Sequence, residues 1–245
     1  MRQNWRHLLF LHWAIPVAEL RELVPEELEI DTFGGQAYVG LVPFTMNGVR
    51  PSWAPAIPTL SSFHEINVRT YVLKNGADPG VWFFSLDAAN SIAVRLARSI
   101  WRLPYYYARM SLEHSPPMAN FAGDIRYRTD RIWPEPTPAY CAARYEPTGS
   151  IAPAEMGTLE FFLVERYLLY SRDEQGALYR GQVHHQPYPL QSARIHLLDE
   201  NLVHAAGIQR PDVRPLVHYS GGVNVEIFPL RRIDTCDRES NRNGN

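Results

Sequence analysis

The sequence predicts an α+β protein that is mainly β, built on an antiparallel sheet or barrel with two or three short helices. Three observations carry this. Most apolar runs are short or alternating, rich in aromatic and β-branched residues, and several end in hairpin-type turn pairs. Few stretches place apolar residues at helical spacing. Proline is frequent, 20 of 245 residues, about 8 % against a usual ~5 %, and it gathers in connections.

The elements follow in order. Arg2, Arg6 and a short apolar run ending at Trp13 open the chain. The run is far below the roughly 20 residues of a membrane span, and no small-residue cleavage site follows it. The expectation is a soluble, unprocessed, cytoplasmic protein. Pro16 suits a first helical position, and Val17, Leu20, Leu23 and Val24 form an apolar stripe that Pro25 stops. Tyr38 to Met46 reads as a strand ending in the turn pair Asn47-Gly48. Pro51, Pro55 and Pro58 bracket Trp53 in an extended loop. Phe63 to Leu73 is a long strand ended by Asn75-Gly76, and Val81 to Leu86, apolar on both faces, is a buried strand.

A second helix is expected from about Ala88 to Trp101, with Asp87 as N-cap. Ile92, Leu96 and Ile100 line one of its faces, and Arg95, Arg98 and Arg102 lie toward the end where the helix dipole favours cations. Pro134, Pro136 and Pro138 mark another loop. Arg166 to Ser171 and Leu178 to His185 flank Asp173-Glu174-Gln175-Gly176 as a hairpin. Gln191 to Leu198 and Val217 to Phe228 supply later strands, and a short third helix spans Asn201 to Ala206, ended by Gly207. No repeat or linker divides the chain, so residues 1–230 are expected to form a single domain and the polar stretch 231–245 a disordered tail.

Composition narrows the function. A chain of this length buries roughly 70–75 % of its unfolded surface and needs no metal or disulfide staple. The balance of 24 basic and 26 acidic side chains, net −2, lacks the basic footprint of a nucleic-acid binder. Cys141 and Cys236 are far apart, which argues against a structural disulfide. Lys74 is the sole lysine, so arginine supplies the other 23 basic residues (24 − 1), and Schiff-base chemistry has one candidate amine. The common phosphate-loop, dinucleotide, nucleophile-elbow and zinc-protease signatures are absent. No metal and no cofactor are expected. The one close histidine pair, His184-His185, would point to opposite faces of a strand.

The strongest constellation is Phe63 to Tyr71. With a period of two, Glu65, Asn67 and Arg69 share one face and Ile66, Val68 and Val72 the other. Periodicity alone favours the polar face in water. The alternative turns it into a barrel, where carboxylate and guanidinium must pair or bind a polar ligand. Glu165-Arg166-Tyr167 and Val183-His184-His185-Gln186-Pro187 are further candidates, and Trp101 to Tyr107 is an aromatic junction that is either core or pocket wall.

These stretches, with Trp5 to Trp13, Phe83-Phe84-Ser85-Leu86-Asp87-Ala88 and Arg102-Leu103-Pro104-Tyr105-Tyr106, resemble the uncharacterised DUF2071 (YqjF-like) family within the acetoacetate decarboxylase-like superfamily. The likeness runs in order from about Trp5 to Phe228. It implies an antiparallel β-barrel or cone with a polar pocket. The decarboxylases' active-site arginine would fall on Arg6. Their Gly-Arg-Glu stretch meets Ala97-Arg98-Ser99, and their Schiff-base lysine meets Tyr105, with Tyr106 beside it. A phenol forms no imine, and Lys74 reads as a hairpin-turn residue. The implied function is a pocket for a small organic acid or carbonyl compound, with Glu65, Tyr105 and Tyr106 as candidate acid–base groups. Arg6, Asn67, Arg69, Arg98, Glu165, Arg166, Tyr167, His184 and His185 are the candidate binders. A lyase- or hydrolase-type enzyme working by Tyr/Glu chemistry is the alternative. No nucleic acid or membrane partner is expected, and a homo-oligomer is possible.

Overall fold

A computed structural model describes residues 1–57, 61–115 and 123–233. Its strands are β1 (Arg2–Ile15), β2 (Glu29–Ile30), β3 (Ala37–Arg50), β4 (Phe63–Lys74), β5 (Ala77–Ala88), β6 (Tyr105–His114), β7 (Ile125–Trp133), β8 (Tyr140–Ala152), β9 (Leu168–Arg172), β10 (Leu178–His185), β11 (Leu190–Glu200), β12 (Leu216–Ile227) and β13 (Arg231–Arg232). The helices are α1 (Val17–Arg21), α2 (Ser91–Trp101), α3 (Leu159–Val164) and α4 (Leu202–Ala205). All strands join one sheet, which closes on itself through two pairings beyond its linear order, β4 with β5 and β10 with β12.

The closures make two circuits. One runs β4-β5-β9-β10-β12-β1-β3 and back to β4; the other leaves β5 through β6, β7, β8 and β11 before returning through β12, β1 and β3. Most pairings are antiparallel, but β5 pairs parallel to β6 and to β9. The strands common to both circuits have a core on each side, and alternation distributes their residues. On β1, Leu9, Leu11 and Trp13 join one core while Leu8 and Phe10 join the other. On β4, Ile66 and Val68 face the first core, and Tyr71 faces the second. The face holding Glu65, Asn67 and Arg69 is therefore buried too, at 3 %, 5 % and 8 % exposure. The expectation of a solvated polar face fails because period two reports alternation, not whether a second circuit covers the other side.

Several elements differ from the sequence reading. The pair Asn47-Gly48 makes no hairpin. β3 runs on to Arg50, and the register against β1 slips by one residue there, with Gly48 at φ 64°. Asn75-Gly76 does turn the chain, with both residues at positive φ and Lys74 opposite Ala77. Helix α2 begins at Ser91, and its cap is Asn90, whose side chain accepts from the Ile92 and Ala93 amides. Asp87 is instead a buried strand residue ion-paired with Arg131. Ile92, Leu96 and Ile100 face outward, and only Val94 of α2 is buried. Helix α3, capped by Thr158, was not foreseen. Neither were β1, β7 and β8. Arg231 and Arg232 pair with β10, so the start of the expected tail belongs to the sheet; Pro58, Cys236 and residues 234–245 lie outside the described residues. Among the described residues no helix is long and apolar enough to cross a membrane.

Candidate functional site

The first circuit encloses a cavity of about 100 Å³ whose polar wall is Glu65, Asn67, Arg69, Tyr105 and Arg166. Gln3 and Tyr188 also line it, and its other walls are mostly apolar, among them Phe44, Val81, Leu86, Leu169 and Val183. A much larger void of about 1510 Å³ is an open cleft on the outside, and Arg98 and Lys74 line it. The inner cavity has the chemistry. Three of its polar residues are successive inward positions of β4, held by pairing with Phe44, Val42 and Gly40 of β3.

Glu65 and Tyr105 form a pair: the Tyr105 hydroxyl donates to Glu65 Oε2 at 2.9 Å. Burial pushes the Glu65 carboxyl up to about 8, against the opposing pull of the Tyr105 hydrogen bond and with help from the Asp87 charge. The Tyr105 phenol is pushed well above its usual range by burial and then by the Glu65 charge. At neutral pH the pair is thus mostly uncharged, with one proton poised near neutrality.

Arg69 has only uncharged partners. Nη2 donates to the Leu163 carbonyl at 3.2 Å, and the guanidinium lies 5.8 Å from the Phe10 and Tyr71 ring centroids. Its Nε is buried without a partner, as is Asn67 Oδ1. Among the described residues no carboxylate ion-pairs with it. Arg166 differs, because Nη1 meets Asp31 Oδ2 at 2.6 Å and Nε donates to the Phe162 carbonyl. Arg69 is thus a buried guanidinium at the cavity wall with no ion pair among the described residues.

Other candidates lie elsewhere. Glu165 is buried beside the cavity, accepting from Tyr167 OH at 2.5 Å and from the Tyr188 amide at 2.9 Å. His185 packs tilted against Tyr167 and Tyr188, with ring centroids 4.8 and 4.6 Å apart. Burial lowers its pKa, and its Nε2 has no partner. His184 is exposed on the opposite face. Tyr106, one residue from Tyr105, faces the second circuit, where the Arg131 guanidinium lies 3.6 Å from its ring centroid. Arg98 is exposed on α2 and donates to the Tyr105 carbonyl.

Arg6 does not reach the cavity either. It donates to the Trp5 and Val223 carbonyls and to Asn224 Oδ1. The reason is His7, at φ 55°, where the register against β3 breaks. Before it the odd residues Gln3 and Trp5 line the cavity, and after it the even residue Leu8 does. The sequence reading missed Tyr188 as a cavity wall, while Trp101 lines the cavity as the pocket-wall alternative for the aromatic junction has it. Tyr188, two residues beyond His184-His185-Gln186, carried no signal of its own. Among the described residues no three His, Cys, Asp or Glu side chains are placed to hold a metal ion.

Comparison with known proteins fits this architecture. The chain is 38 % identical to the uncharacterized protein YqjF of Bacillus subtilis (strain 168), over 95 % of this chain and 92 % of that protein. The solved structure of the enduracididine biosynthesis enzyme MppR, complexed with the condensation product of pyruvate and imidazole 4-carboxaldehyde, superposes with a TM-score of 0.67 at 12 % identity. That match covers 94 % of this chain and 88 % of the other. An acetoacetate decarboxylase-like enzyme from Sphingomonas wittichii RW1 gives 0.63 at 11 % identity, covering 95 % and 93 %. The fold is acetoacetate decarboxylase-like, and with a family model matching residues 2–224 the chain belongs to DUF2071, a family described as an uncharacterized conserved protein.

Proposed function

We propose that this protein holds a small organic acid or carbonyl compound in the inner cavity, with Arg69 clamping a carboxylate. The observation that carries the reading is the Arg69 guanidinium, buried at the cavity with no counter-charge. An acid supplies that charge and the missing hydrogen bonds together, in the bidentate geometry guanidinium prefers. Asn67 Oδ1 would accept from a ligand hydroxyl or enol, and the Glu65–Tyr105 pair would donate to a ligand carbonyl. Arg166 is already neutralised by Asp31, so one carboxylate balances the site. Structural neighbours that hold pyruvate or its condensation product support ligands of this size.

A second reading, turnover by a lyase- or hydrolase-type reaction, is favoured by Glu65 alone. A carboxyl pushed up to about 8 beside a phenol can give and take a proton near neutral pH. Lys74 takes no part in either reading: it lines the outer cleft, not the cavity, and hydrogen-bonds the Glu27 carbonyl.

The test is calorimetric titration with pyruvate, acetoacetate and a panel of other short 2-oxo and 3-oxo acids, with native mass spectrometry of freshly purified protein for a retained acid. At least one acid should bind, and Arg69→Met should weaken it about 10–100-fold, the worth of a charge-assisted pair. Failure of every acid, or undiminished binding by the variant, overturns the reading. Product formation from any acid in the panel would select the second.

A further inference from the structure

The inner cavity and the outer cleft share a wall. Phe83 and Leu103 line both voids, and around Leu103 the chain alternates between them. Trp101 and Tyr105 line the cavity, while Arg102 and Pro104 line the cleft. Residues 101–105 are thus a partition one chain thick.

The two shared residues are held differently. Phe83 lies within β5, opposite Arg69 of β4, and cannot shift without breaking ladder hydrogen bonds. Leu103 lies in the 102–104 connection between α2 and β6, outside helix and strand. Of α2 only Val94 is fully buried, Trp101 at its end packs against the core, and one backbone hydrogen bond, from the Leu86 amide to the Pro104 carbonyl at 3.0 Å, ties the connection to β5. Arg102 sits at φ 53°, a left-handed conformation that a non-glycine residue keeps only when held there. What holds it is the Tyr179 ring, 3.9 Å from its guanidinium carbon, and the Asp173 carboxylate, also at 3.9 Å.

We propose that small acids reach the cavity from the outer cleft by displacement of the 102–104 connection, with Leu103 as the moving wall and Arg102 as the clasp. This rests on the cavity being the ligand site. The door is coupled to the chemistry: Tyr105 follows Leu103 by two residues, and its hydroxyl is the partner of Glu65. Opening therefore loosens the Tyr105–Glu65 pair, and closing restores it around the ligand. Leu103 also sets the cross-section of what can pass.

Access can be read without any ligand. In a Cys141→Ala, Cys236→Ser background, Leu86→Cys places a thiol on the cavity wall, and its modification by methyl methanethiosulfonate times the opening. Arg102→Ala should speed modification roughly tenfold by releasing the clasp, and Leu103→Trp should slow it by a similar factor. Arg128→Ala, an exposed arginine lost from β7, should leave the rate within about twofold. If Leu103→Trp does not fold, Leu103→Ala takes its place, with faster modification expected. Rates within about twofold of the parent for either the clasp or the wall variant overturn the route. Because no acid is present, failure of the acid titrations would sink the ligand reading alone, and unchanged labelling would sink the door alone.

Discussion

Arg131 and Arg69 are buried to nearly the same degree, 7 % and 8 % exposed, yet they are opposite kinds of residue. Arg131 meets Asp87 through two hydrogen bonds, Nε to Oδ2 at 2.8 Å and Nη2 to Oδ1 at 2.7 Å, under the ring of Tyr106. Its charge is satisfied by the chain itself, in the circuit that contains no cavity polar wall. Arg69, across β4 in the other circuit, is satisfied by nothing charged. The difference teaches how to tell a structural arginine from a site arginine at equal burial. The decisive question is whether the molecule finishes the hydrogen-bonding of the charge or leaves it to a ligand.

Breaking the finished pair gives the largest effect. Asp87→Asn leaves a buried guanidinium short of its counter-charge and should cost about 3–5 kcal/mol in urea unfolding. Arg69→Met should be neutral or stabilise by about 1–2 kcal/mol, since it removes an unpaired buried charge. Equal losses in the two variants would abolish the distinction.

A smaller effect depends on pH. Glu65 holds its proton more tightly folded, at about 8, than the ordinary 4.5. The unfolded chain therefore releases that proton first as pH rises. The contribution of Glu65 is full below about 4.5, declines above it and is gone past about 8, a loss of a few kcal/mol at ~1.4 kcal/mol per pH unit. Glu65→Gln should lack this slope when unfolding free energy is followed from pH 4.5 to 8. Parallel profiles would mean that Glu65 is hydrated and ionised in the folded protein. The smallest effect is that of Tyr105→Phe, which removes one hydrogen bond and should cost about 1 kcal/mol in the same assay.

Local chemistry made some of this legible in the sequence. Asn75-Gly76 signals its turn because both residues accept positive φ, and the β9–β10 hairpin announces itself through Asp173 to Gly176. Asn47-Gly48 carries the same signal and serves a bulge against β1, because the chain runs on past it to Arg50 and turns back only later. Asp87 resembles a cap, but Arg131, 44 residues later, claims it. Helix α3 is six residues of mostly apolar sequence, too short for a period to show. In the site, Glu65, Asn67, Arg69 and Arg166 are legible by residue type and Tyr105 through the family resemblance, and all five line the cavity. Arg6, named from the decarboxylase resemblance, lies off the cavity because β1 puts Gln3 and Trp5 on that face before the irregularity at His7. Whether β4 showed its polar face to water depended on ring closure between strands far apart in sequence, which no local pattern contains.

The position of β1 has a consequence for the making of the protein. It lies between β3, complete by residue 50, and β12, which spans residues 216–227. During synthesis one edge of β1 can be covered early, while the other waits until nearly the whole chain has been translated. Through that interval the run Leu8-Leu9-Phe10-Leu11, fully buried at the end, belongs to an unpaired strand edge of the kind that recruits other chains. Copies lacking β12 would keep that edge open and should aggregate more readily than the full chain, so the last long strand to be made is the one that covers the first.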